Sequence, residues 1–177
     1  MIGVGAVFFD RDGVINEVIV RDGKPFSPRK FDDFKLVMGI GDVLIQLKRK
    51  GCLNIIITNQ PDIARGLIGW EELDKMHKFI REGLPIDDIF VCPHDDKDKC
   101  KCRKPKPGMF FEVAQKWGID LNASFMIGDS WKDIEAGKAA GCKTIIIDAE
   151  YNKEIKANFR VNDICSVVGV ILDERTY

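Results

Sequence analysis

The chain has 177 residues, 45% of them hydrophobic and 31% charged, with a formal net charge of −1. That length suits one domain whose core stands without disulfides, and the charge balance gives no global basic field for nucleic acid. No apolar run approaches a membrane span, and the start of the chain lacks the basic segment and cleavage site of a secretory signal, so a cytoplasmic protein is expected. Short β-branched or aromatic runs at 4–9, 53–58, 88–92, 124–129 and 144–148 read as buried strands. A helix is expected over 42–51, with Lys48, Arg49 and Lys50 in its last turn and Gly51 as its stop. Leu73, Met76, His77 and Ile80 give helical spacing over 70–82, and Pro107 opens a helix that Gly118 ends. A fourth helix covers 131–140 before Gly141. The alternation predicts right-handed βαβ units: an α/β, three-layer, Rossmann-like parallel sheet with helices on both faces, in one domain over 1–177. Residues 93–107 have no apolar content and no periodicity, and read as a loop.

In open α/β sheets, ligands bind beyond the carboxyl ends of the strands. Asp10, Thr58, Cys92 and Asp129 all fall at such ends. Asp10 and Asp12, one residue apart, can project to the same side, and two neighbouring carboxylates ionise together only at a cost unless a cation is near. A plain polar turn is the competing reading of the pair. The third strand-end carboxylate, Asp129, tips the balance, because three such groups suit a hard divalent cation such as Mg²⁺. Thr58-Asn59-Gln60 supplies a hydroxyl and backbone amides for an oxyanion, and Lys104 a compact positive charge for phosphate.

A second constellation is Cys92-Pro93-His94 followed after five residues by Cys100-Lys101-Cys102. In a reducing compartment cysteines are thiols or metal ligands, and Cys92, His94, Cys100 and Cys102 match a closed Cys₃His zinc site. A redox pair is disfavoured by the lack of C-x-x-C; free thiols in a solvated loop are the other alternative. Four ligands leave no open position, so this metal is expected to be structural, fixing Arg103 and Lys104 behind it.

The order DRDG, TNQ, lysine, GDSWKD over residues 7–133 resembles the four motifs of the haloacid-dehalogenase-like (HAD-like) phosphatases. The resemblance implies Asp10 as nucleophile, Asp12 as proton donor and then base, and Thr58 and Lys104 as holders of the phosphoryl oxygens. It implies Mg²⁺ on Asp10, Asp129 and the backbone carbonyl of Asp12, with Asp133 near the metal. CPH…CKCRKPKPGM, with TNQPDIARG upstream, is similar to the zinc-containing subgroup of heptose-bisphosphate and histidinol-phosphate phosphatases. By that likeness Arg103 and Arg65 contact substrate, and Arg11, Asn59 and Gln60 join them. No separate cap domain fits between residues 16 and 52. A small sugar phosphate is the expected partner, foremost the 7-phosphate of D-glycero-D-manno-heptose 1,7-bisphosphate. Histidinol phosphate, a polynucleotide 3′-phosphate and a non-catalytic zinc-loop binding module are the alternatives. Neither a membrane nor nucleic acid is expected as a partner, and a monomer is. Residues 17–25 and the pair Pro61-Asp62 depart from the heptose enzymes and leave the sugar open. Arg21 and Lys24 read either as a second phosphate site or as a solvated turn. His77 reads as surface or core edge rather than catalytic, Trp117 and Trp131 as packing residues with pocket lining the alternative for Trp131, and Cys52, Cys142 and Cys165 as small buried hydrophobes. Gly3-Val4-Gly5 precedes a strand and is no dinucleotide fingerprint.

Overall fold

The computed structural model of the chain describes residues 5–175. Five strands fall where apolar runs predict them: β1 (Ala6–Phe9), β4 (Leu53–Asn59), β5 (Asp88–Cys92), β6 (Phe125–Gly128) and β7 (Lys143–Ile147). Val4, the first residue of the expected β1, lies outside the described residues. Four helices also stand near their expected bounds: α1 (Ile40–Arg49), α2 (Trp70–Gly83), α3 (Gly108–Trp117) and α4 (Trp131–Ala140). Four elements were not anticipated. β2 (Ile19–Arg21) and β3 (Lys24–Phe26) form an antiparallel hairpin, β8 (Phe159–Val161) adds a last edge strand, and α5 (Val167–Arg175) ends the described chain.

The main sheet runs β5-β4-β1-β6-β7-β8, and every neighbouring pair in it is parallel. Side chains alternate across a strand, so β1 feeds two cores at once. Val7 and Phe9 pack with Ile40, Leu44 and Leu47 of α1, Leu73 and Met76 of α2, and Val167 and Ile171 of α5. Ala6 and Phe8 pack on the other face with Met109, Phe110 and Val113 of α3 and Ala136 and Ala140 of α4. Phe8 and Phe110 meet there with ring centroids 4.8 Å apart. β1 is thus buried on both faces and paired on both edges, which fixes the point where its last residue hands over to Asp10.

Between β1 and α1 the chain carries only the hairpin and one 3₁₀ turn at Phe31–Asp33, in keeping with the absence of a cap domain. The hairpin turn is Asp22-Gly23, with φ of 50° and 70°, the left-handed pair that a two-residue turn needs. This puts Arg21 opposite Lys24 across a short hairpin. Three expectations about single residues do not hold. His77 is 2% exposed, because it lies on the face of α2 that meets the sheet. Cys165 is exposed, because it belongs to the 3₁₀ turn before α5 rather than to a core strand. Trp131 is 51% exposed and Trp117 36%, so neither is a core residue. Among the described residues no helix is long and apolar enough to cross a membrane.

Gly137 gives a test of how closely α4 sits on the sheet. An exposed helical glycine changed to alanine gains about 1 kcal/mol. Here the new Cβ would meet Met126 Cβ at 2.7 Å and Thr144 Cγ2 at 2.9 Å. Gly137→Ala is therefore expected to lower stability by about 1–3 kcal/mol in urea unfolding, reversing the usual sign.

Candidate active site

Three loops meet at the carboxyl end of β1. The Asp10 amide continues the ladder by donating to Ile127 O at 2.9 Å, which carries the strand's direction one residue past its end. Beyond it the carbonyl of Arg11 accepts from the amides of Ile15 (2.8 Å) and Asn16 (3.0 Å), closing the chain into a tight turn. Gly13 sits in that turn at φ +86°, and a Cβ there would lie 2.1 Å from Asp129 Oδ2. Glycine therefore answers two demands, left-handed backbone and close approach of Asp129.

Lys104 lies at the centre. It is 1% exposed, and its Nζ donates to Asp10 Oδ1 (2.8 Å), Asp133 Oδ1 (2.6 Å) and the Ile57 carbonyl (2.8 Å). An ammonium has three hydrogens, so each is placed. Its backbone is clamped by Asn59, whose Nδ2 donates to Lys104 O and whose Oδ1 accepts from Lys104 N, both at 3.0 Å. Asp133 uses its other oxygen to cap α4, accepting from Ser130 N (3.1 Å) and Oγ (2.6 Å). One carboxylate oxygen each from Asp10, Asp129 and Asp133 falls within 4.8 Å of the others, a donor set that fits a divalent cation.

Asp12 turns the other way. Its carboxylate accepts from Arg11 (2.9 Å), Asn16 (3.0 Å), Gln60 Nε2 (2.8 Å) and Ser27 Oγ (2.9 Å). Gln60 Nε2 also reaches Thr58 Oγ1 at 2.9 Å, tying the β4 end to Asp12. Two adjacent acids are thus sorted by their partners: Asp10 to the lysine and the carboxylate cluster, Asp12 to a ring of donors.

The cysteine loop lies alongside. Cys92 Sγ is 3.2 Å from Cys102 Sγ and 3.7 Å from Cys100 Sγ, and His94 Nδ1 is 3.6 Å from Cys92 Sγ and 3.3 Å from Cys102 Sγ. A tetrahedron with sulfurs about 2.3 Å from its centre has edges of roughly 3.8 Å. The four groups therefore stand nearly at the spacing a zinc ion would impose, and far from the ~2.05 Å of a disulfide. Arg103 fastens this loop through Asp96 (2.7 Å) and the His94 carbonyl (3.2 Å).

A HAD-hydrolase-like family model matches residues 101–166. A protein of Photorhabdus laumondii named D-glycero-beta-D-manno-heptose-1,7-bisphosphate 7-phosphatase is 35% identical over 96% of this chain and 96% of its own length. The chain belongs to the HAD-like phosphatases. A Vibrio cholerae relative of the same name is 38% identical, covering 80% of each chain. A solved structure of D,D-heptose 1,7-bisphosphate phosphatase from B. bronchiseptica, complexed with magnesium and phosphate, superposes with a TM-score of 0.84. It is 27% identical and covers 97% of this chain and 99% of that one.

In this HAD-like phosphatase, Asp10, Asp12, Asn59, Arg103 and Lys104 line one cleft of about 250 Å³. Thr58 and Gln60 are buried just behind it. Two residues expected at the substrate lie elsewhere. The Arg11 side chain is fully buried: its guanidinium pairs with Asp12 and donates to His77 Nε2 at 3.2 Å, beside Met76. Because arginine only donates, His77 Nε2 is the acceptor and the ring hydrogen is on Nδ1. Arg65 is drawn to the surface by Asp95 (2.7 Å) and Asp62 (3.4 Å), outside the cleft. Ser27 and Lys132 also line the cleft and were missed. Ser27 follows the hairpin that the Asp-Gly turn could have signalled. Lys132 stands inside the last motif, where no spacing marks it.

Burial and then repulsion from Asp133 push the Asp10 carboxyl up to about 7, against the pull of Lys104. Burial and the charges of Asp133 and Asp10 raise Asp129 well above the ordinary carboxylate range. Burial works against Asp12 as well, but Arg11 and the bonds from Asn16 and Gln60 overcome it and hold that carboxyl low. Burial and nearby Arg11 lower His77 to about 3, so it stays neutral. A carboxyl raised on folding binds its proton more tightly in the native state, so its contribution to stability is lost as pH rises from about 4 through about 7. A cation that needs the ionised carboxylates restores more of this at the alkaline end. His77 shifts the opposite way, but equally with and without metal. The rise in Tm caused by Mg²⁺ is therefore expected to be larger at pH 8 than at pH 6, in calorimetry on protein dialysed free of magnesium but retaining zinc.

Proposed function

We propose that this phosphatase removes the 7-phosphate of D-glycero-D-manno-heptose 1,7-bisphosphate through an aspartyl-phosphate on Asp10. The observation that carries the chemistry is the Asp10 carboxylate, tied by Lys104 at the mouth of a cleft, with Asp12 as its independent neighbour. The sugar rests on the names of the full-length relatives and of the 27%-identical structure. Arg103 and Lys132 give that cleft positive charge for an anionic substrate.

Phosphoryl transfer depends on positioning and on neutralising charge at the equatorial oxygens. Asp10, Asp129 and the backbone carbonyl of Asp12 would hold a Mg²⁺, which would supply the charge neutralisation that lets one anion approach another. The chain's own groups do the rest. Asp10 Oδ attacks phosphorus and the sugar alkoxide leaves; Asp12 gives that alkoxide a proton. Asp12 then takes a proton from the water that cleaves the acyl phosphate. The donors around Asp12 favour its ionised form, which suits the second half, and an arriving phosphate dianion raises its proton affinity for the first. The Thr58 hydroxyl and the loop amides after β4 hold the phosphoryl oxygens. Lys104 keeps Asp10 from rotating away. Cys92, His94, Cys100 and Cys102 would hold a zinc ion with no open position for chemistry, and it would fix the two residues that follow Cys102.

Phosphate release is expected from heptose 1,7-bisphosphate, faster for the β anomer that the relatives' names carry, and faster than from fructose 1,6-bisphosphate, histidinol phosphate or a 3′-phosphorylated oligonucleotide. Asp10→Asn should lower it at least about a thousandfold. Preference for another of these substrates would reject the sugar; turnover by Asp10→Asn would reject the nucleophile. Elemental analysis of protein purified without chelator should find about one zinc per chain. Cys102→Ser should lower both that content and kcat/KM.

A further inference from the structure

Asp129 is held by a group that none of the motifs contains. Tyr151 lies in the 3₁₀ turn Glu150–Asn152 that follows β7, and its hydroxyl donates to Asp129 Oδ2 at 2.5 Å. The next residue, Asn152, is 1% exposed and donates through Nδ2 to the backbone carbonyls of Asp129 (2.7 Å) and Ile147 (2.8 Å). Asn152 is in turn fixed by the Ala149 amide (3.0 Å) and by Arg160 of β8 (3.1 Å). The turn is thereby fastened to two strands while it grips Asp129 at both backbone and side chain.

We propose that Tyr151 is a positioning residue for the divalent cation, and that it works by fixing the Asp129 carboxylate in one orientation. Oδ2 is enclosed between the Tyr151 hydroxyl and the backbone of Gly13, where even a Cβ would be 2.1 Å away. Among the described residues no donor reaches Oδ1, which leaves that oxygen for the cation. The need for a clamp follows from a second cavity. Asp129 borders a space of about 320 Å³, lined also by Glu17, Val18, Asp148 and Tyr151, separate from the cleft that holds Asp10. Without the hydroxyl, the carboxylate can turn into that space and away from Asp10 and Asp133. Hydrogen-bond partners behind metal ligands act in this way, and losing one costs about 10–100-fold in metal affinity.

The inference rests on reading Asp129 as a metal ligand, so the experiment separates the two. Mn²⁺ alone is titrated into zinc-loaded, magnesium-free protein, with free Mn²⁺ followed by electron paramagnetic resonance. Wild type should bind one Mn²⁺, and Asp129→Asn should lose the site; retention there would overturn the ligand reading itself. Tyr151→Phe should raise the Mn²⁺ dissociation constant about tenfold, with the melting temperature of the metal-free protein and its zinc content kept. Unchanged affinity in Tyr151→Phe beside a lost site in Asp129→Asn would overturn the role of Tyr151 alone. So would a weakened site accompanied by a fallen metal-free melting temperature, which marks a structural role.

Discussion

The buried ammonium of Lys104 is the interaction on which this site depends. It balances Asp10 and Asp133 at 2.8 and 2.6 Å, in a place from which water is almost wholly excluded. Breaking a buried pair by removing one partner is far more costly than the pair's net contribution to stability, because a lone charge remains. The lysine therefore cannot be exchanged for a neutral residue without releasing the repulsion between two acids it now separates. Its third hydrogen goes to the Ile57 carbonyl on β4, so charge neutralisation and the sheet share one atom.

That atom is delivered by a loop with no apolar core. Residues 95–106 are held by Arg103 to Asp96, by Arg65 to Asp95 and by Lys106 to the Cys100 carbonyl, and carry two of the four groups that could hold a metal ion. Gly108 completes the arrangement: a Cβ there would stand 2.3 Å from the Lys101 carbonyl, so the start of α3 can press against the loop only as glycine. Surface ion pairs are individually weak. A metal bound by the Cys₃His cluster would add to them far more than another surface pair could.

Much of this was legible in the sequence because the signals were local. Short β-branched or aromatic runs marked β1, β4, β5, β6 and β7, and strand-end acids located Asp10 and Asp129. The spacing of Cys92, His94, Cys100 and Cys102 needed no tertiary information. What escaped depends on contacts far apart in the chain. Arg11 lies between two acids and would be read as facing substrate, yet its guanidinium finds Met76 and His77 on α2, 65 and 66 residues away. β8 is three residues long and pairs only through β7. Tyr151 touches Asp129 across 22 residues and has no motif of its own. The hairpin at 19–26 is different: its Asp-Gly turn was a readable signal, obscured by the charged residues around it.

The hairpin also has a bearing on selectivity. Its strands are three residues each, and Ser27 just beyond it touches Asp12 through one hydroxyl. Enzymes that enclose their substrates under a mobile domain often find that reopening limits the rate. Here the described chain between β1 and α1 offers a hairpin of three-residue strands and a single turn in place of such a domain, so the substrate is met by a shallow rim, and discrimination falls to the shape and charge of the cleft itself.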